Sequence, residues 1–274
     1  MLFRSPLSIL GAEVSGLNLE QPLGEVERQS IVDALARYNV LFFRDQSLTG
    51  EQLVSLAANF GPAFVQPALS EKYQDLLIIE TDENKPAYLN TFHQDMTGLP
   101  EPPAIFFLHA LVVPQPGGDT IWSCNQAAYD ALSPTMQAWL ESLSCRHSLL
   151  HYYAPIFARW PHGAEKHAEF EREHPPVSHP MVVRHPGNGR KTLFVNRFFT
   201  ECVEHLSTGE SRALLEFLYR HIEQPEFCVR LRWRERTLAI WDNRATSHYA
   251  VADYFPQRRK MQRASVAGGP LSGV

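Results

Sequence analysis

The chain has 274 residues, 44% of them hydrophobic, which gives about 120 apolar side chains and enough material for a sizeable core. Its 25 Lys and Arg against 30 Asp and Glu leave a net charge of −5 with no long run of either sign. That balance argues against a nucleic-acid-binding surface and against a polybasic membrane anchor. The longest apolar stretch, Ala104 to Val113, is broken by His109 and falls far short of the roughly 18 residues of a membrane span. No signal-peptide pattern follows Met1, and the four widely spaced cysteines make no C-x-x-C pair, so mostly buried thiols in a reducing cytoplasm are expected.

In chain order, residues 24–38 place Val26, Ile31, Leu35 and Tyr38 near helical spacing and predict a helix. Val40–Phe43 follows as a short apolar run that fits a buried strand. Thr49 with Gln52 forms a capping box for a second helix over 50–60, ended by Gly61-Pro62. Strands are expected at 76–80 and 104–113. Ser133-Pro134 reads as an N-cap and first-turn proline opening a helix to about Leu143. The segment 155–186, rich in proline and histidine, reads as a long excursion from the core. Gly187-Asn188-Gly189 is a turn between strands at 181–185 and 192–195. Ser207 to Glu210 fits a capping box before a helix at 211–222. Phe227, Val229, Leu231 and Trp233 then alternate with arginines as a half-buried strand does, and Leu238–Trp241 supplies one more strand. One domain over 1–274 is expected, with a lid or insert around 150–186.

The chemistry begins at His93-Gln94-Asp95. On a strand, residues i and i+2 share a face, so an imidazole and a carboxylate can meet one metal ion. Two histidines and a carboxylate on one face of an octahedron form the triad of non-haem Fe(II) oxygenases, with three positions left open. Alone the motif carries little, because about half an H-x-D is expected by chance among twelve histidines. The alternative is a hydrogen-bonded pair on a surface strand. A third ligand is offered by His248, just after a predicted strand. Arg259 and Arg263 follow four residues apart, on one side of a strand or helix, and arginine suits a bidentate hold on a carboxylate. Two anion sites near one metal are therefore expected.

Taken together, His93-x-Asp95, Gly117-Gly118-Asp119-Thr120, Trp241-Asp242-Asn243-Arg244 with His248, and Arg259 with Arg263 resemble the taurine and 2,4-dichlorophenoxyacetate dioxygenase family. The likeness runs nearly end to end, through Gly11–Gly16, Phe42–Gln46, Leu193–Asn196 and Pro256–Arg259. These are Fe(II)- and 2-oxoglutarate-dependent oxygenases. The resemblance implies a mainly β fold with flanking helices, a double-stranded β-helix (jelly roll, cupin-like). It implies His93, Asp95 and His248 as iron ligands, Arg259 with Thr120 as the hold on the distal carboxylate of 2-oxoglutarate, and Arg263 as the hold on the acidic group of the primary substrate. It further implies O2 as cosubstrate, succinate and CO2 as products, and a homo-oligomer, dimer or tetramer.

The taurine pattern is not matched throughout. Where taurine enzymes place a histidine and, three residues on, a tyrosine against taurine, this chain has Gln66 and Leu69. Met96 and Phe199 add apolar surface. The expected substrate is a small organic anion, carboxylate or sulfonate, with an apolar body, and its expected fate is hydroxylation. Tyr152, Tyr153 and Phe157 are candidates for lid residues or for core. Desaturation or rearrangement by the same triad is the alternative within the class, and a non-catalytic metal-binding jelly roll the alternative outside it. A zinc hydrolase is disfavoured by the absence of H-E-x-x-H and H-x-x-E-H. His147 and His151, at i and i+4, are a candidate metal pair on a helix face, or else a partly exposed polar pair.

Overall fold

The computed structural model describes residues 2–6, 9–66, 75–87 and 90–274. Among them, fifteen strands and seven α-helices are found, so the architecture is mostly β with helices on its flanks. The larger sheet has seven strands, in the order Leu2–Pro6, Ala12–Ser15, Val40–Phe43, Leu238–Asp242, Ile105–Val112, Arg259–Val266 and Leu77–Thr81. A three-stranded sheet, Cys228–Leu231, Thr120–Cys124 and Thr246–Ala250, packs against it. Two smaller sheets pair Ser144–His147 with Thr200–Val203 and Val177–Pro180, and Val182–Arg184 with Lys191–Leu193.

The two main sheets are held together by apolar side chains that alternate inward. Trp122 of the smaller sheet meets Phe42 at 5.5 Å and Trp241 at 5.7 Å between ring centroids. Trp241 stacks on Phe106 at 5.2 Å, and all four rings are buried. Burying such a side chain contributes about 1.5–3 kcal/mol each, and Val40–Phe43, with every residue buried, sits inside the sheet between Ala12–Ser15 and Leu238–Asp242. The second face of that sheet is covered by the helices Glu25–Tyr38 and Gly50–Ala58. Ile31 and Leu35 point inward as their spacing requires, but Val26 is 81% exposed in the first turn, outside the apolar stripe.

Local signals in the sequence act where they stand. Thr49 Oγ1 accepts from the Gln52 N–H and Gln52 Oε1 accepts from the Thr49 N–H, so the capping box forms. Ser207 and Glu210 do the same, with the helix starting at Thr208 rather than 211. Ser133 caps its helix, which ends at Leu140, a turn sooner than expected. The segment 155–186 is more ordered than its prolines indicate. It completes the helix Leu150–Phe157, forms Gly163–Glu173, and then enters the strands at Val177–Pro180 and Val182–Arg184. All four cysteines are free, Cys124 and Cys145 buried and the other two half-buried. No helix among the described residues is long and apolar enough to cross a membrane.

One buried charge ties the larger sheet to the Val182–Leu193 hairpin. Asp242 is 2% exposed, accepts from Arg244 Nε at 2.9 Å, and accepts from His185 Nε2 at 2.9 Å. His185 Nδ1 in turn accepts the N–H groups of Gly187 and Asn188, so the predicted turn anchors the ring. Burial alone would raise the Asp242 carboxyl, but the Arg244 charge and the Arg244 and His185 hydrogen bonds hold it well below the usual carboxylate range. A depressed carboxylate stabilises the fold above its unfolded pKa and loses that contribution as pH falls toward the folded value. Asp242→Asn should therefore cost about 3 kcal/mol in urea unfolding at pH 7, and the gap from the wild type should narrow below about pH 4.

Candidate active site

The Thr246–Ala250 strand pairs with Thr120–Cys124 on one side, with His248 opposite Trp122. On its other side His248 meets His93 through two backbone hydrogen bonds, His93 N–H to His248 O at 2.9 Å and His248 N–H to His93 O at 2.8 Å. His248 thus stands within a strand, not after one. His93 contributes a single bridge rather than the expected strand, and Asp95 lies in the turn that follows, with Met96 at φ +58°. The two side chains still share a face, because Asn243 fixes that turn. Its Oδ1 accepts the Asp95 N–H at 2.8 Å, and its Nδ2 donates to Asp95 O at 2.9 Å and Pro103 O at 3.0 Å.

The three side chains converge. His93 Nε2 is 3.5 Å from Asp95 Oδ1, His248 Nε2 is 3.9 Å from Asp95 Oδ2, and one donor atom from each lies within 4.8 Å of the others. His93 Nδ1 is bonded to Thr91 O at 2.8 Å, which turns Nε2 inward. His248 Nδ1 is buried with no hydrogen-bond partner among the described residues. Burial, His93 and Arg263 push the His248 imidazole down to about 3 against the pull of Asp95, so it is neutral with a lone pair to give. Burial opposes ionisation of Asp95, yet Arg263, the His93 hydrogen bond and His248 hold its carboxyl well below the usual range. Two imidazoles and one carboxylate are the donor set a divalent metal takes.

A cavity of about 270 Å³ opens beside the triad. Arg259 and Arg263 both line it from the strand Arg259–Val266. Arg259 is 7% exposed, and among the described residues its side chain makes one hydrogen bond, from Nε to Gly118 O at 3.2 Å. No carboxylate lies within ion-pair distance of it among the described residues, and burial pulls its pKa down. Such a guanidinium lacks an anion. Gly118, at φ +72°, permits this approach, since a Cβ there would stand 3.1 Å from Arg259 Cδ and 2.9 Å from Pro114 Cγ. Thr120, 3% exposed, accepts at Oγ1 from Trp233 Nε1 at 2.9 Å.

Arg263 is bound differently. Its Nη1 donates to Asp95 Oδ2 at 3.1 Å and its Nη2 to Gln66 Oε1 at 2.8 Å, while Gln66 Nε2 donates to Tyr153 OH at 3.1 Å. Met96 and Phe199 line the cavity as expected, joined by Tyr152, one of the lid candidates, and by Phe198, Leu77 and Ile79, which the sequence did not single out. Tyr153 and Phe157 are core, packed with Phe170 beneath the cavity wall. Leu69 lies outside the described residues. The His147 and His151 helix-face reading is overturned: His147 ends a strand, fully buried, and bonds Thr97 at 3.1 Å. Asn243 and Trp233 were visible in the sequence as part of a motif and as an inward strand residue, but no one-dimensional signal marks what they hold.

Residues 4–265 match the family described as taurine catabolism dioxygenase TauD, TfdA. The chain is 35% identical to an alkylsulfatase of Acinetobacter baylyi over 97% of its own length and 84% of that protein's. It is 33% identical to the alpha-ketoglutarate-dependent 2,4-dichlorophenoxyacetate dioxygenase of Cupriavidus pinatubonensis, over 94% of each chain. Among solved structures, AAD-2 in complex with Mn(II) and N-oxalylglycine is similar at a TM-score of 0.85 and 32% identity, covering 99% of this chain and 98% of that one.

Removing one donor should show in metal affinity directly. His248→Ala is expected to weaken Mn(II) binding at least about 100-fold by calorimetry, and Asn243→Ala about tenfold, because the Asp95 turn loses its clamp. Unchanged affinity in His248→Ala would remove it from the donor set.

Proposed function

The chain belongs to the taurine catabolism dioxygenase TauD, TfdA family and is a 2-oxoglutarate-dependent non-haem iron dioxygenase that uses Fe(II), 2-oxoglutarate and O2, and from that premise we propose that it hydroxylates a small, apolar-bodied organic anion, releasing succinate and CO2. His93, Asp95 and His248 hold the iron. Arg259 and Thr120 bind the distal carboxylate of 2-oxoglutarate, and Arg263 with Gln66 binds the acidic group of the primary substrate. The packed sheets form a double-stranded β-helix within one catalytic domain over 1–274, and the helices Leu150–Phe157 and Gly163–Glu173 belong to a lid over 150–186.

The observation that carries this reading is the pair of arginines on one strand, Arg259 buried and without a carboxylate partner among the described residues, and Arg263 half-buried beside the triad carboxylate. A buried guanidinium left unpaired favours a carboxylate ligand, since desolvation strengthens the charge-assisted hydrogen bonds that such a ligand restores. Bound iron supplies the oxidising chemistry, and the protein's share is to position and to exclude water. Thr120 has a hydroxyl proton left to donate, because its oxygen already accepts from Trp233. Arg263 has to exchange at least one of its present partners for the incoming anion, which places that anion next to Asp95 and the oxidised carbon near the metal. Leu77, Ile79, Met96, Phe198 and Phe199 dehydrate the body of the substrate.

The wall argues against taurine, whose ammonium end would face Leu77, Ile79, Met96, Phe198 and Phe199, with the wall carboxylate of Glu80 already paired to Arg258 and Lys260. The relatives support the same direction, one named an alkylsulfatase and one a 2,4-dichlorophenoxyacetate dioxygenase. Among the described wall residues outside the triad, the one carboxylate, Glu80, is already paired with Arg258 and Lys260 and stands as no second base, which favours hydroxylation over desaturation.

Succinate release should be measured across alkyl sulfates, alkyl sulfonates, aryloxy acids and taurine, with the expected outcome that the apolar-bodied anions trigger turnover and taurine does not. Micromolar KM for taurine would defeat the proposal. Arg263→Ala is expected to raise substrate KM about 100-fold, a loss of roughly 3 kcal/mol. Slow substrate-free decay of 2-oxoglutarate should persist in that variant, and equal loss of both activities would speak against the assigned role.

A further inference from the structure

A threonine hydroxyl has one hydrogen to give and two lone pairs, whereas the tryptophan indole N–H can only donate. Trp233 Nε1 points at Thr120 Oγ1 from 2.9 Å, and that is the sole hydrogen bond of the Thr120 side chain among the described residues. The indole therefore occupies a lone pair and leaves the hydroxyl hydrogen with nowhere to go inside the protein. The same ring lies 5.9 Å from the Arg259 guanidinium carbon, within reach of a cation–π contact. All three residues are buried, Trp233 at 1% exposure. Trp233 comes from the chain just past the strand Cys228–Leu231, whose Leu231 pairs with Thr120, so the backbone register brings the indole to the hydroxyl.

We infer that Trp233 is a positioning residue for the distal carboxylate of the cosubstrate, acting through Thr120 and Arg259: the indole N–H commits the Thr120 hydroxyl to donating toward the ligand, and the ring steadies the guanidinium beside it. This rests on the 2-oxoglutarate reading of Arg259 and Thr120. Without the indole N–H, the hydroxyl is free to rotate, and ordering it falls to the ligand. The effect is specific to the carboxylate end, since Trp233 touches none of the triad.

The test titrates N-oxalylglycine into the Mn(II)-loaded protein by calorimetry, a measurement independent of turnover. Trp233→Phe keeps a ring and removes the donor, and should raise Kd about fivefold with Mn(II) affinity unchanged. Thr120→Val should raise it about tenfold, and adding Trp233→Phe to it should weaken binding by less than about twofold more. Unchanged affinity in Trp233→Phe, or the same fivefold loss in the Thr120→Val background, would overturn the inference and leave the ring a packing element only. Should Trp233→Phe fail to fold, the wild type decides: with Zn(II) as the metal, the indole ¹⁵N–H resonance of Trp233 is expected to move on adding N-oxalylglycine, and to move much less in Thr120→Val. A resonance that stays in place would equally overturn it. Failure of the wild type to bind N-oxalylglycine at all is the distinct result that removes the 2-oxoglutarate reading, and this inference with it.

Discussion

Two backbone hydrogen bonds between His93 and His248 determine where the chemistry can sit. They join segments far apart in the chain, and they bring the two imidazoles to 4.2 Å between ring centroids. The pairing is possible because the Thr246–Ala250 strand is the last in its sheet and has an edge to spare, with Thr120–Cys124 on its other side. A longer ladder at that edge would continue the chain past His93 as a strand and carry Asp95 with it. Instead the ladder stops after one residue, Met96 takes a left-handed conformation, and Asn243 holds the turn from a loop that leaves the larger sheet. The triad is thus suspended between the two sheets, with His93 and His248 tied to each other's backbone and Asp95 to the Asn243 side chain. An edge strand closed by a bridge is also protected from pairing with another chain.

The same economy of contacts governs the arginines. Arg259 and Arg263 come from one strand whose pairing with Leu77–Thr81 runs in unbroken register, so their separation of four residues is a fixed distance along one face. Their surroundings differ. Arg259 reaches a backbone carbonyl and an aromatic ring, whereas Arg263 reaches two side chains and the Phe106 ring at 5.0 Å. On the proposed reading the first waits for an anion and the second exchanges one partner for another. Gln66 is central to that exchange, since a neutral amide can release the guanidinium without leaving a bare charge behind, which a carboxylate there could not.

Much of this was legible in one dimension because the signals are local or chemical. Capping boxes at Thr49 and Ser207, the proline-opened helix after Ser133, and the turn at Gly187 to Gly189 are each decided by a few neighbouring residues. The His93, Asp95 and His248 set, and the two arginines, were visible as residue types at telling intervals. What escaped was tertiary. His147 looked like half of a helical pair, yet strand pairing with Val177 and Thr200 buries it. The helix Gly163–Glu173 was hidden by its histidines and flanking prolines, although its Glu, Lys and Ala content suits a helix. Trp233 was read correctly as facing inward, but that it faces a hydroxyl rather than another hydrocarbon depends on the Thr120 strand lying beside it.

Charge completes the argument about the substrate. Arg259 and Arg263 line a cavity whose proposed ligand set contributes the one carboxylate of Asp95. Glu80, also in the wall, is already paired outward with Arg258 at 2.6 Å and Lys260 at 3.5 Å. With a divalent iron in place, Arg259, Arg263 and the metal bring four positive charges to the one negative charge of Asp95, while Lys85, also in the wall, is exposed to solvent. A 2-oxoglutarate dianion and a monoanionic substrate together restore neutrality, while a neutral substrate would leave a buried cation unpaired and a dianion would overshoot. The site is therefore suited to one negative charge on the primary substrate, close to the carbon that is oxidised, and to very little polarity anywhere else on it.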